Sequence, residues 1–516
     1  MNLKLITVIN CIIVLYSIQN PVAAQNRDRI WVFGDSVGID FNNISSPVSF
    51  NVNFLSGLDE NYACISTNQG QLKFYIGAGG LASTQTFINY HSAIYNVSGN
   101  IIPNGDSISS DRSRTQGTLF LPFPTDSQKY ILLYTSYNGT NSSEIPGLYS
   151  AIIQDDSTGG RCLSKGDILI IDSLTEKLSA VRHANGRDWW ILAHRASSPY
   201  SHSNTNTFVE ILLTDSGFLG PFTQDIGTFY QWNPASGYQG QLIFSPTGDK
   251  LGVVGTGLYP NGISDLFDFD RCSGIISNWV QLCNCTYSEY GFYGCSFSPD
   301  GTKFYTSYRD SLFQFDLSSG NIPSSRVIVW SDQNDSSKIM GHMLGPDGKI
   351  YIASVYGNSN STTYNNFNMN LSVINTPDSL GLACNLIPYS FYLGGKRCFL
   401  DLPNMPNYNL GALEGSPCDT LSVSSRAGWP PKQEIDVFPN PNNGEFAIKI
   451  INNRGEKLCV KIFNLLGQEV NYEKKSFSNS ENKIFIKTNL KPGIYYLQSI
   501  SKDGVQSNAK FIITKE

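Results

Sequence analysis

Three stretches of similar sequence decide the fold of this 516-residue chain: Phe244-Ser-Pro-Thr-Gly-Asp-Lys-Leu-Gly-Val-Val254, Phe297-Ser-Pro-Asp-Gly-Thr-Lys-Phe-Tyr-Thr-Ser307 and Leu344-Gly-Pro-Asp-Gly-Lys-Ile-Tyr-Ile-Ala-Ser354. Each places Pro-Asp-Gly, or a close variant, between two short apolar runs. Proline presets φ, aspartate can bond the backbone and glycine accepts positive φ, so this turn joins the runs into a β-hairpin. The stretches therefore predict three similar hairpins.

Weaker copies of the same pattern come earlier in the chain, at residues 66–76, 124–133 and 183–192. The equivalent turn positions of the six copies are separated by 57, 59, 62, 53 and 47 residues, and they are Gly70, Ser127, Gly186, Gly248, Gly301 and Gly348. A period of about 50 residues with about four short strands per unit is typical of β-propeller blades. The repeat therefore predicts a propeller with six visible blades.

The whole body of the chain fits such an all-β fold, because no long stretch holds the 3.6-residue apolar period of a helix. Residues 30–41 could join strands near 391–402 as a seventh blade, and a ring closed by both chain ends would leave no exposed sheet edge. We therefore expect a seven-bladed propeller over residues 25–415, and prefer it to an array of β-sandwiches. The turns resemble those of WD40-like propellers.

The last 82 residues form a second unit with its own motifs. Short strand-like runs bounded by Pro, Asn or Gly begin at Asp436-Val-Phe-Pro-Asn-Pro-Asn-Asn-Gly and continue to Lys510-Phe-Ile-Ile-Thr-Lys, which predicts a small β-sandwich over residues 435–516. These motifs resemble the type A sorting domain of the type IX secretion system. The residues that carry the resemblance are Pro439, Asn440, Pro441, Gly444, Gly467, Gly493, Tyr495, Lys510 and Lys515.

This resemblance implies where the protein goes. It implies export by the type IX machinery of a Gram-negative bacterium, so that the protein is secreted, extracellular or attached to the outer cell surface. It also implies two further partners: a sorting peptidase that removes the tail, and a surface lipopolysaccharide that anchors the body. The resemblance implies no chemistry for the body.

Charge separates the two units. Residues 435–516 contain 12 basic and 8 acidic residues, whereas residues 1–434 contain 24 basic and 34 acidic ones. Such a change of sign is typical of modules with separate origins. Residues 416–434, rich in Ser, Pro and Gly, are the predicted linker. The acidic body has no basic stripe, so we expect no nucleic-acid partner.

The N-terminus has the pattern of a signal peptide over residues 1–24. Lys4 is followed by an apolar run of about twelve residues, and Val22-Ala23-Ala24 places small side chains before a predicted cut. The run is too short to span a bilayer of roughly 30 Å. No later segment is apolar enough, so we expect no transmembrane span.

Cysteines fit an exported protein. Cys272, Cys283, Cys285 and Cys295 lie close together, but the single residue between Cys283 and Cys285 does not match zinc-ligand spacing. We expect two disulfides here instead. The remaining body cysteines could form two more bridges and leave one thiol, and they are Cys64, Cys162, Cys384, Cys398 and Cys418. The pairing cannot be derived from the sequence.

Two other motifs suggest chemistry and lack its full pattern. Ser36 sits in Gly-Asp-Ser-Val, which resembles the nucleophile block of a hydrolase family, but no histidine follows an Asp by three residues; we take the segment as a strand and turn. Asp265, Asp268 and Asp270 lack the spacing of an EF-hand calcium loop. We therefore expect no metal and no cofactor.

The body's densest group of polar and aromatic residues gives the candidate ligand site: Arg187, Trp189, Trp190, His194 and Arg195. Aromatic rings with arginine suit contacts to carbohydrate or peptide, although packing between blades would use the same residues. Two functions remain. The body is a non-catalytic module that binds a glycan, peptide or matrix component, or it is a propeller-fold polysaccharide lyase or glycosidase with acid–base groups in its channel. We favour binding.

Overall fold

The computed structural model describes residues 25–53, 60–78, 91–110, 114–136, 147–170, 174–196, 205–230, 239–256, 262–283, 291–308, 310–332, 337–356, 363–419, 434–451, 459–464, 470, 473–478, 483–500 and 506–514. Regular structure in these residues is almost entirely β, with two short 3-10 helices at Pro323–Ser325 and Gly381–Cys384. The all-β prediction is confirmed.

The strands before residue 420 form seven small antiparallel sheets in the described residues. The first two sheets have three strands each: β1 (Ile30–Phe33), β2 (Val37–Asp40), β3 (Val48–Asn51); β4 (Cys64–Ser66), β5 (Leu72–Ala78), β6 (Ser92–Asn96). The other five have four strands each: β7 (Thr118–Pro122), β8 (Lys129–Ser136), β9 (Gly147–Gln154), β10 (Arg161–Ile170); β11 (Leu174–Arg182), β12 (Trp189–Arg195), β13 (Thr205–Thr214), β14 (Gly217–Tyr230); β15 (Leu242–Phe244), β16 (Lys250–Gly255), β17 (Ile263–Phe269), β18 (Ile276–Gln281); β19 (Phe292–Phe297), β20 (Lys303–Tyr308), β21 (Ser311–Asp316), β22 (Val327–Ser331); β23 (Ser337–Leu344), β24 (Ile350–Tyr356), β25 (Asn370–Ile374), β26 (Leu386–Tyr392).

The predicted turns occupy one equivalent place in this architecture. Each of the six lies between the first and second strands of a sheet, as Gly248 does between β15 and β16. Within each of these seven sheets the strands pair in chain order. The six sequence repeats therefore match six of the seven sheets.

The first strands of successive sheets lie side by side, from β1 through β4, β7, β11, β15 and β19 to β23. The last sheet packs against the first, because the Tyr351 ring on β24 lies 5.5 Å from that of Trp31 and 5.4 Å from that of Phe41. All three side chains are fully buried. The sheets are thus arranged around a central channel, as in a β-propeller.

The predicted pairing of residues 30–41 with 391–402 is wrong. β1 and β2 pair with each other and with β3 instead, while β26 ends at Tyr392 and no strand occupies residues 393–402. The two chain ends meet without forming a ladder, for example where the Asp35 N–H donates to the Arg397 carbonyl oxygen at 2.9 Å. After β26 the chain turns inward and enters the central channel.

Residues 401–410 form no strand and lie in the channel, and we call them the channel segment. Pro403 and Pro406 lack the N–H that a sheet strand donates, which explains why this segment does not pair. The channel segment passes close to β23: a Cβ added to Gly341 would lie 1.9 Å from Asp401 Oδ1. Only glycine leaves room for the segment there.

Cysteine pairing differs from the prediction. Cys272 is bonded to Cys418, so that the chain just beyond the channel segment is tied to the turn after β17. Cys283 is also disulfide-bonded. The other described body cysteines are free and buried: Cys64, Cys162, Cys295, Cys384 and Cys398. They lie in packed interiors, where they serve as small apolar residues.

The C-terminal unit has two antiparallel sheets in its described residues. One contains β27 (Glu434–Phe438), β28 (Glu445–Ile451), β31 (Lys483–Lys487) and β30 (Glu473–Ser478); the other contains β29 (Cys459–Asn464), β32 (Gly493–Ile500) and β33 (Gln506–Ile513). Both contribute to one core, in which Phe446 of the first sheet lies 4.6 Å from Phe511 of the second, centroid to centroid. The predicted signal peptide and most of the predicted linker lie outside the described residues.

Candidate functional site in the central channel

Each sheet's first strand pairs along one edge only, and its other edge faces the channel. Antiparallel pairing alternates, so every second residue of such a strand points its N–H and C=O away from its partner. The Ser245 N–H donates to the Lys250 carbonyl oxygen at 2.9 Å. The N–H and C=O of the preceding residue, Phe244, therefore point away from β16 and toward the channel. Equivalent bonds from Ser298 to Lys303 and from Gly345 to Lys349 place Phe297 and Leu344 likewise.

Amide side chains bind these channel-facing groups near the ends where the first strands begin, which we call the start face. Gln116 Nε2 donates to the Leu242 carbonyl oxygen at 3.0 Å and its Oε1 accepts from the Leu242 N–H at 2.7 Å. Gln241 Oε1 accepts from the Cys295 N–H at 2.8 Å, and its Nε2 donates to the His342 carbonyl oxygen at 3.1 Å. This layer of the channel is therefore hydrogen-bonded within the protein.

The channel segment also donates hydrogen bonds to backbone groups of the first strands, on one side of the channel. Asn404 Nδ2 donates to the carbonyl oxygens of Thr118 and Leu178, at 3.0 and 2.9 Å. The Tyr408 hydroxyl donates to the Phe120 carbonyl oxygen at 2.8 Å. The segment thus lies against β7 and β11 and leaves space on the side of β15, β19 and β23.

That space is a cavity of about 210 Å³ reaching toward the face with the tight turns, which we call the turn face. Four residues line it whose peptide groups face the channel and make no hydrogen bond within the described chain: Ala180, Phe244, Phe297 and Leu344. They offer four N–H donors and four carbonyl acceptors. Backbone N–H and C=O groups in proteins are almost always paired with protein or with water, so water or a ligand provides the partners of this ring.

The rest of the lining combines apolar and polar groups. Phe244, Phe297 and Met343 contribute apolar surface, while Ser296 and Asp401 contribute oxygen atoms. Ser296 Oγ and Asp401 Oδ2 have no hydrogen-bond partner in the described chain. Burial, together with the nearby Glu60, raises the pKa of Asp401 well above its usual range, which biases this carboxyl group toward its neutral form.

A second polar group, at the start face, joins four sheets. The Tyr293 hydroxyl donates to Glu60, and Thr115 donates to Glu176 from its N–H at 3.1 Å and its hydroxyl at 3.0 Å. Lys177 Nζ donates to the Gln239 carbonyl oxygen at 3.1 Å. Burial lowers the pKa of Lys177 to about 7, with Glu176 opposing the change. We call Glu60, Thr115, Glu176, Lys177 and Tyr293 the start-face network.

The candidate ligand residues from the sequence lie elsewhere, on and just before β12. Trp189 and Trp190 are buried on opposite faces of the strand, one against Tyr408 and the other beside Phe222. His194 is buried against Tyr230, with ring centroids 3.9 Å apart, and burial lowers its pKa to about 3. These three side chains occupy positions that pack the sheets.

The two arginines of that group are not brought together. Arg187 lies in the turn before β12 and pairs with Asp188 at 2.8 Å and with Asp215 at 2.9 Å. Arg195 ends β12 and is partly buried. Arg187 therefore already has two carboxylate partners.

Sequence reasoning missed the cavity and both polar layers around it. Gln116, Gln241 and Asn404 carry no motif, and the four unpaired peptide groups belong to ordinary apolar residues. One signal was available: Pro403 and Pro406, three residues apart in a β-rich chain, mark a segment that no sheet can hold. Ser36 lies in the turn between β1 and β2, as predicted. No group of three metal-binding side chains occurs in the described part of the chain.

The sorting motifs come together in the C-terminal unit. Asn440 Oδ1 accepts from the Ile512 N–H at 2.8 Å, and the Asn442 N–H donates to the Ile512 carbonyl oxygen at 2.9 Å. Gly444 has a φ of +98°, and a Cβ there would lie 2.5 Å from the Thr488 carbonyl oxygen. The turn from 439 to 444 therefore ties the start of the domain to its last strand.

The other described sorting residues lie in the same turn and along the second sheet. Pro439 and Pro441 are exposed beside Asn440. Gly493 begins β32, where Tyr495 stacks on Phe511 with centroids 5.7 Å apart. Lys510 is in β33, opposite Tyr496. Gly467 and Lys515 lie outside the described residues.

Solved structures with a similar course of the chain share little sequence with it. A periplasmic gluconolactonase from Pseudomonas aeruginosa is 11% identical, over 86% of this chain and 100% of its own, with a TM-score of 0.38. A putative 6-phosphogluconolactonase from Bacteroides uniformis is 13% identical, over 83% and 98%, at 0.37. A putative TolB from Agrobacterium tumefaciens is 15% identical, over 57% and 87%, at 0.31. No curated protein matches the chain.

One family model matches, and it covers the tail. It is the secretion system C-terminal sorting domain, and it matches residues 436–514. No helix in the described residues is long and apolar enough to cross a membrane. Residues 436–514 are thus a type A sorting domain of the type IX secretion system, and the chain is a β-propeller-like protein exported to the cell surface or the extracellular space.

Proposed function

We propose that the body is a seven-bladed propeller, that the tail is a β-sandwich, and that the exported protein is a non-catalytic binding module. Its ligand is a glycan, peptide or matrix component outside the cell. The observation that carries the proposal is the ring of unpaired peptide groups at Ala180, Phe244, Phe297 and Leu344 around the cavity.

Two properties of this ring suit binding. Its groups belong to strands held by ladders on their other edge, so their directions are fixed before a ligand arrives, and a preorganised site loses less entropy on binding. Each hydrogen bond that a ligand makes to such a group in place of water contributes about 0.5–1.5 kcal/mol net. A ligand that pairs several of them adds these contributions together.

The start-face network supports a non-catalytic role for the body. Its acid–base groups bind one another or the backbone, as Tyr293 binds Glu60 and Lys177 binds the Gln239 carbonyl oxygen. Glu60, Lys177 and Tyr293 are buried. Such a closed network stabilises the contacts between sheets and offers little to a substrate.

One substitution at the cavity mouth tests the proposal. Asn407 lines the cavity and is partly exposed, whereas Asn409, two residues further along, is exposed and does not line it. Asn407→Trp should close the cavity and abolish binding on arrays of glycans, peptides and matrix proteins, while Asn409→Trp should retain it. Equal binding by both variants would contradict the proposal.

A polysaccharide lyase or glycosidase is the second candidate, and one observation favours it. Lys177, with a pKa near 7, lies beside Glu176 in sequence, and Thr115 joins Glu176 to Tyr293. A base and an acid of this kind are what such reactions need. Polysaccharide cleavage that is lost in Lys177→Met would establish the enzyme and overturn the binding role.

We also propose that the tail is removed by a sorting peptidase and that the body is then anchored to a surface lipopolysaccharide. The sorting domain supports this proposal, because its match covers nearly all of residues 435–516. Deleting residues 435–516 should leave a folded body in the periplasm. Continued appearance at the surface or in the medium would contradict the role of the tail.

A further inference from the structure

Resting on the proposed function, we infer that the channel cavity binds the terminal ring of an uncharged saccharide. Three properties of the cavity lead to this ligand class: its size, its lack of charge, and its mixture of unpaired polar groups with apolar walls.

The size of the cavity limits the ligand to about one sugar ring. Sites for drug-sized ligands usually measure about 300–1,000 Å³, and this cavity measures about 210 Å³. The channel segment closes one side of it, with Leu402, Asn404 and Leu410 in its wall. A long glycan therefore cannot thread through, and only the end of a chain can enter from the turn face.

The charge of the lining excludes strongly ionic ligands. Among the described residues that line the cavity, none is Lys or Arg, and the titratable ones are Asp28, Cys295, His342 and Asp401. Burial raises the pKa of both carboxyl groups and of the Cys295 thiol, and lowers that of His342 to about 3. All four are therefore biased toward their neutral forms, and a buried charged ligand would find no partner.

The hydrogen-bonding pattern favours a sugar over an apolar peptide side chain. The ring at Ala180, Phe244, Phe297 and Leu344 alternates donors and acceptors, and a hydroxyl group can act as either. An apolar side chain would leave these groups unpaired at full cost. Phe244, Phe297 and Met343 offer apolar surface to the C–H face of a pyranose ring.

The experiment is saturation-transfer NMR on the full chain with three classes of probe. The neutral probes are the methyl glycosides of glucose, galactose and mannose. The charged probes are methyl glucuronide and glucosamine, and the peptide probes are N-acetyl amino-acid amides. A ligand of this size that binds through one ring should have a dissociation constant of about 1 mM.

The inference predicts that at least one neutral glycoside binds, that Asn407→Trp weakens it more than tenfold, and that Asn409→Trp leaves it unchanged. Binding of a charged probe or an amino-acid amide with the same sensitivity to Asn407→Trp would overturn the inference and leave the proposed site standing. If no probe bound, or if Asn407→Trp had no effect on the probes that did, the inference would be overturned. Array ligands that were also insensitive to Asn407→Trp would remove the cavity from the proposed function.

Discussion

Asn404 Nδ2 lies 2.9 Å from the carbonyl oxygen of Leu178, so a side chain from the end of the body binds the backbone of a first strand 226 residues earlier. The Asn404 N–H also donates to the Tyr62 carbonyl oxygen at 2.8 Å. Asn404 thereby connects the channel segment to several sheets at once.

Replacing Asn404 by Ala should destabilise the body, because the carbonyl groups of Thr118 and Leu178 would lose their partner in a buried site. The expected loss is about 2–4 kcal/mol in the free energy of unfolding, measured by urea titration. Asn409→Ala, at an exposed position of the same segment, is the control and should change little. Equal midpoints for the two variants would show that the segment's contacts contribute little.

The Cys272–Cys418 disulfide should be a major source of stability, because it closes a long loop. Its residues are 146 positions apart, and the chain-entropy estimate for such a loop is about 5 kcal/mol, an upper value for real proteins. The double variant Cys272→Ala and Cys418→Ala should unfold at clearly lower urea concentration than the native protein. Cys162→Ala removes a free buried thiol and is the control. The prediction would be contradicted if the double variant unfolded at the same urea concentration as this control.

Glu210 should make stability depend on pH. Burial raises its pKa from 4.5 to about 8, and Gln224 donates a hydrogen bond to it. Between these values the folded protein keeps a proton that the unfolded chain releases, so the stability of the fold falls as pH rises. The slope should approach about 1.4 kcal/mol per pH unit.

The measurement is a set of urea titrations at about pH 5, 6, 7 and 8, which roughly cover the range between the two pKa values of Glu210. Glu210→Gln keeps an acceptor for Gln224 and cannot titrate, so it should flatten this part of the pH profile. A profile that is the same in both proteins would show that Glu210 does not titrate in this range.

Two glycines of the sorting domain should differ in their tolerance of a side chain. Gly444 has a φ of +98° and no room beside Thr488, whereas the nearest atom to a Cβ at Gly493 would be 3.7 Å away. Gly444→Ala should therefore speed hydrogen exchange in β28 and β31 of the full chain and reduce export, and Gly493→Ala should do neither. Slow exchange in Gly444→Ala would mean that the turn adapts without strain.

The sequence carried much of the fold and little of the site, for reasons visible at particular residues. Turns such as Pro299-Asp300-Gly301 are local, so their chemistry alone predicts a hairpin and its period. The pairing of Cys272 with Cys418 depends on where the channel segment ends, which is a tertiary property. In sequence, Trp189 and Trp190 are consistent with packing as well as with binding, and the structure buries them.

The cavity could not have been predicted, because its central feature belongs to the backbone. Whether the peptide groups of Phe244 and Leu344 meet a partner depends on how the channel segment lies, and not on the identity of either residue. Asn404 and Gln241 satisfy one layer of the channel, and nothing in the described chain satisfies the next. The candidate site is the part of the channel that the channel segment leaves unfilled.

The most direct test is a crystal structure of the full chain soaked with a neutral methyl glycoside. We predict a sugar ring in the channel cavity, with hydroxyl oxygens about 2.7–3.2 Å from peptide nitrogens among Ala180, Phe244, Phe297 and Leu344. A sugar bound only on the outer surface, or a cavity filled by protein side chains, would contradict it.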